Sequence, residues 1–179
     1  MKKITLVTFF LFTVSSNANN DCGIHPKAQE LARILINSDQ QQHADLVCNS
    51  KLAKAANAKA KIMAENKRVD HFLNHQSPNQ LLRSYGLKLP SIYEAIGNQV
   101  EAISGGMKSA QSAYDHFLSS PPHKAHLLGE NDFYKSQNEI AVGYYYDFYT
   151  PHEHYWVVYV TASKNADMAE YSFTEVSSK

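Results

Sequence analysis

Two segments near the C-terminal end restrict the fold more than any other part of the chain. Ile140, Val142, Tyr144, Tyr146 and Phe148 alternate with Ala141, Gly143 and Tyr145, the two-residue period of a β-strand with both faces largely apolar. Thr150-Pro151-His152-Glu153 supplies a turn, and Tyr155 to Thr161 predicts a second strand, again apolar on both faces. A hairpin with two greasy sides must be covered on both. Because helices are predicted only upstream, the fold expected is α+β: an α-β-α sandwich with a small antiparallel sheet between two helical layers.

The upstream helices carry the required stripes. After Pro26, which suits a first helical turn, Ala28, Leu31, Ala32 and Leu35 follow the spacing of an amphipathic helix. A second helix is expected from about Leu46, burying Leu52, Ala55, Ala56, Ala60 and Met63. Its alanine-rich face lets a neighbour approach closely. Lys59 falls at the edge of that stripe, where its stem can lie down while the ammonium reaches water. A short helical piece over Leu81 to Tyr85 is stopped by Gly86 and Pro90, and Gly105-Gly106 breaks the chain again. Ser109 starts a helix with Ala110, Ala113, Tyr114, Phe117 and Leu118 on its stripe, ended by Ser119-Ser120-Pro121-Pro122.

Lys2 and Lys3, the uncharged run Ile4 to Val14 and the small residues to Ala18 form the pattern of a secretory signal peptide. The run is too short for the about 20 apolar residues of a membrane span, so a secreted or periplasmic protein is expected. In an oxidising compartment two cysteines favour a disulfide, and Cys22–Cys48 is the one intrachain pair available. Seventeen basic side chains balance seventeen acidic ones, so no bulk charge draws the chain to nucleic acid. The expected organisation is a leader over 1–18, a helical extension over 19–45, a main domain over 46–163 and a polar tail over 164–179.

The order of local motifs resembles the CAP superfamily of cysteine-rich secretory, antigen 5 and pathogenesis-related 1 proteins, and within it the exported bacterial SCP-like branch. Cys48 to Ala53 leading into Ala60 to Ala64 looks like that family's first helix, and His75-Gln76-Ser77-Pro78 looks like its H-x-x-P turn, with Arg83 and Gly86 following. Ile96 to Val100 sits where G-E-N-I is usual, Phe117 to Leu128 looks like W-L-x-S-P-G-H-R-x-N-I-L, and Ile140 to Tyr144 with Tyr155-Trp156 looks like the closing strands. The resemblance implies a three-stranded antiparallel sheet in the sandwich and a central cleft carrying two histidines and two acids. Carried over by motif, the histidines are His75 and His123. The acid positions fall on Asn98 and about Ser120, so both acids are missing. Glu101, three residues past Asn98, would share a face with it on a helical turn and is expected to stand in.

Two imidazoles and a carboxylate suit zinc or copper, with Glu101 as base for an activated water; no cofactor is expected to be required, zinc being the candidate if one is bound. His71, at i−4 from His75, reads as a surface residue, and Asp115 as either an orienter of His123 or a solvated side chain. The Tyr-rich strands read chiefly as core. With G-x-S-x-G and H-E-x-x-H both absent, the expected function is a non-catalytic binding module whose cleft meets an extracellular ligand, lipid or protein. The alternative is a metal-assisted protease or nuclease using His75, His123 and Glu101.

Overall fold

The computed structural model describes residues 22–94 and 96–162. The leader and polar tail expected from the sequence lie outside these residues. Within them ten elements follow in order: α1 (Pro26–Ile36), β1 (Val47–Cys48), α2 (Ser50–Glu65), α3 (Pro78–Ser84), β2 (Glu101–Gly105), α4 (Ala110–Leu118), α5 (Pro121–Leu128), α6 (Asp132–Lys135), β3 (Glu139–Tyr146) and β4 (His154–Thr161). The sheet order is β1-β3-β4-β2. β3, β4 and β2 are antiparallel neighbours, while the two-residue β1 runs parallel to β3 along its edge. The sheet is therefore mixed and four-stranded, one short parallel strand beyond the antiparallel set expected.

The sandwich follows from the hairpin. Every residue of β4 is buried, and its side chains alternate between two cores. Tyr155, Val157 and Tyr159 pack with α2 residues such as Leu52, Ala56 and Met63. Trp156, Val158 and Val160 pack on the other face with Leu31 and Leu35 of α1 and Phe117 of α4. Burying a side chain the size of Leu31 or Val158 contributes about 1.5–3 kcal/mol.

Close approach of α2 depends on small residues. A Cβ at Gly143 of β3 would lie 2.1 Å from the Ala56 carbonyl oxygen. Only glycine lets the helix backbone rest on the strand there. Asn49 caps α2, accepting from the Lys51 and Leu52 amides at 3.0 and 3.1 Å, so the helix starts at Ser50 rather than near Leu46. Leu46 to Cys48 instead lead into the edge strand. Cys22 and Cys48 form a disulfide with Cα atoms 4.5 Å apart, which ties the segment before α1 to that edge. Closing 26 residues in this way stabilises by about 3–4 kcal/mol in the chain-entropy model.

Two expectations are corrected by burial. Lys59 does not reach water: it is 2% exposed, and its ammonium donates to the His71 carbonyl at 2.7 Å. Glu101 is not on a helical turn. It opens β2, and its amide donates to Asn98 Oδ1 at 2.9 Å, a side-chain-closed turn that delivers the chain into the sheet. The prolines after Ser120 do end α4, and they also begin α5, whose first turn tolerates them.

Candidate functional site

Glu101 is the centre of the site. Pairing with Tyr159 across β2 and β4 places its side chain on the α2 face of the sheet, where the carboxylate is fully buried. Such a charge persists only with partners. Tyr159 Oη donates to Oε2 at 2.7 Å, His71 Nδ1 lies 2.8 Å from Oε1, and Lys59 Nζ lies 3.9 Å from the same oxygen. Burial, then the charge of Glu101, raise the Tyr159 pKa well above the usual phenol value, so its proton stays in place to be donated. Lys59 is pulled below its ordinary value by burial, with Glu101 and then Asp70 opposing.

Asn98 orders the same corner. Its Oδ1 receives the Glu101 amide, and its Nδ2 donates to the Glu101 carbonyl at 3.2 Å. That Nδ2 also stands 3.0 Å from His71 Nδ1. A carboxylate accepts only, so the proton between His71 and Glu101 belongs to Nδ1, and Asn98 contributes position there rather than a bond. His71 Nε2 is then left without a partner among the described residues, on a side chain 42% exposed. Where the motif carried an acid, the amide of Asn98 now fixes the backbone of the acid three residues on.

His123, in the first turn of α5, is half-buried, with its ring edge-on to Phe117 at 5.5 Å and its buried Nδ1 without a hydrogen-bond partner among the described residues. Burial lowers its pKa first, and the nearby charges of His71 and His116 lower it further. Ser120 caps α5 without a side-chain hydrogen bond. Asp115 accepts from Gln111 at 2.9 Å on its own helix, which settles it as a surface acid rather than an orienter of His123.

His75 is placed elsewhere. Gln76 N donates to the Leu73 carbonyl at 3.0 Å, and Asn74 and His75 between them have φ of 50° and 60°. These are the positive angles of a mirror-image two-residue turn. The turn leaves His75 exposed beside a hollow lined by Asn66, Arg68 and Phe72. The histidine bonded to Glu101 is His71. Asn74, a residue that tolerates left-handed backbone, was the signal that the chain reverses at His75.

Glu101 is already engaged at both carboxylate oxygens and does not fit as a ligand for a resident metal ion. Among the described residues no three His, Cys, Asp or Glu side chains stand close enough to share a cation. Both Glu101 oxygens already accept bonds, and a lysine ammonium stands beside one of them, so a second cation there would meet like charge.

No family model and no curated protein matches the chain. Among solved structures it is similar to an outer surface protein from Borrelia burgdorferi, at 21% identity and a TM-score of 0.54 over 76% of this chain and 90% of that one. It is also similar to an extracellular protein containing a SCP domain from Bacillus anthracis, at 16% identity and a TM-score of 0.46, covering 62% of this chain and 32% of that one. With its two-sided sheet and disulfide in place, the chain has the α-β-α fold that it shares with the Borrelia outer surface protein.

Proposed function

We propose that this is an exported domain of CAP/SCP-like type that works as a non-catalytic binding module, its cleft framed by His71 and His123. The observation that carries the reading is the commitment of Glu101. A general base needs a carboxylate oxygen free for the proton it takes, and both oxygens here are held by Tyr159 and His71 with Lys59 alongside. The motif order, the disulfide and the shared fold support export and the family assignment. The ligand meets His71 Nε2 at the cleft, where a half-exposed imidazole offers one free nitrogen.

One observation favours a second reading, a hydrolase. A carboxylate that fixes the proton on Nδ1 and leaves Nε2 open prepares a histidine as a general base. The test is to incubate the purified protein with peptide, phospholipid and nucleic-acid substrates, with and without added zinc, beside His71→Ala and His123→Ala. The binding reading expects no turnover that distinguishes the variants. Turnover abolished by either substitution would establish the hydrolase instead.

A further inference from the structure

A second constellation sits on the other face of the sheet, at the end of β4 opposite Tyr159. His25, which caps α1, and Lys27 in its first turn meet Lys108, from the loop before α4, and Tyr144 of β3. With Tyr146, Glu153 and His154 they wall a hollow of about 410 Å³.

The polar groups are held in order. Lys27 Nζ donates to the Lys108 carbonyl at 2.6 Å and to the Tyr144 hydroxyl at 3.3 Å, and it lies 5.1 Å from the Tyr144 ring centroid. Tyr144 Oη receives from Lys27 and lies 2.6 Å from His154 Nδ1, to which it can donate its own proton. The neutral imidazole then carries its proton on Nε2. That nitrogen has no hydrogen-bond partner among the described residues, and His154 lines the hollow. Burial, and after it the Lys27 charge, lower the pKa of both His25 and His154 and keep the rings neutral. Lys108 is exposed, and its ammonium is unpaired among the described residues. The hollow thus offers donors in excess, with Glu153 the one acid among the described residues that line it.

Its walls are also aromatic. Tyr146 is 49% exposed with its ring 4.8 Å from His154, and the His25 ring lies 4.5 Å from Tyr144. A few aimed polar groups set among ring faces describe a small-molecule site. A pyranose has an apolar C–H face to lay on such rings, and an acidic substituent on it would reach the ammonium and the imidazole N–H. We propose that this hollow binds an anionic saccharide, a sugar ring bearing sulfate or carboxylate, with Lys108, Lys27 and His154 Nε2 meeting the anion and Tyr146 the ring.

Titration of the purified protein with a heparin-derived sulfated disaccharide, followed by backbone amide NMR shifts, tests this. Maltose, inorganic sulfate and phosphatidylglycerol vesicles run alongside. Saturable shifts around the hollow are expected, with Lys108→Gln and Tyr146→Ala each weakening binding about fivefold or more, the loss of roughly one good contact. Glu153→Gln should tighten binding about twofold, and raising salt from about 50 to about 300 mM should weaken it about threefold. The Glu153 result is one that a merely structural role would not produce. Maltose binding as tightly would overturn the role of charge, and sulfate alone binding as tightly would overturn the role of the ring. Vesicle binding without disaccharide binding would reassign the face to membranes, and absence of saturable binding would end the proposal. None of these side chains touches Glu101, so failure here leaves the cleft reading intact.

Discussion

His126 makes the protein acid-sensitive by a calculable amount. It lies in α5 with its ring buried and its Nε2 3.2 Å from the Val160 carbonyl oxygen. Burial pushes its pKa down to about 4 from 6.5, against the smaller opposing pull of that carbonyl. The folded state therefore holds the neutral ring, while the unfolded chain takes up a proton below pH 6.5. The contribution of His126 to stability is complete above that pH and is lost as pH drops from 6.5 towards 4. Moving from 6.5 to about 4 corresponds to about 3 kcal/mol, accumulating at up to about 1.4 kcal/mol for each step of one in pH. His43 is pushed down to about 4 in the same way, again chiefly by burial, so the two losses share one window. Urea unfolding at pH 7.5, 6.5, 5.5 and 4.5 measures the slope. His126→Gln removes one titrating site while keeping an amide for the Val160 carbonyl, so its stability should decline with about one proton less than the parent. Identical pH slopes in parent and variant would refute the burial argument.

Other substitutions probe the frame. Gly143→Ala drives a methyl into the Ala56 carbonyl and should cost about 3 kcal/mol or more in urea unfolding. Lys59→Met leaves the Glu101 carboxylate buried without its ammonium and should cost about 3–5 kcal/mol, whereas Lys51→Met at the exposed face should stay within about 0.5 kcal/mol. His75→Gly relieves a positive φ and should raise stability by about 1 kcal/mol; a loss on that change would place His75 in an essential contact. Replacing both cysteines by serine should lower stability by about 3–4 kcal/mol, read from the same unfolding curves with and without reductant.

The layers were legible because a period leaves a trace along the chain. Alternation over Ile140–Tyr146 and Tyr155–Thr161 named the central hairpin and demanded helices on both faces, and the α1 stripe Ala28, Leu31, Ala32 and Leu35 is buried as the spacing predicts. Edge strand β1 left no such trace because two residues have no period. Strand β2 was hidden because Gly105-Gly106 reads as a break rather than as the end of five paired residues. At the site, Glu101 was visible, but its route to His71 was a turn closed by Asn98 rather than a helix. His71 and His75 are four residues apart, and the motif favoured the second. Two successive positive φ values reverse the chain at His75 and leave His71 facing Glu101. Lys59 looked like a snorkelling surface lysine, because nothing local announces a carboxylate arriving from β2 forty-two positions later.

In the cleft proposed between His71 and His123, Lys59 is the cation beside Glu101, and the proposal is that protein charges rather than a metal organise it. Its most direct test is a zinc titration at pH 7.5 watched through the imidazole nitrogens of His71 and His123 by long-range proton–nitrogen correlation NMR. Both ring signals are expected to stay in place at one molar equivalent. Stoichiometric displacement of the two together would contradict it.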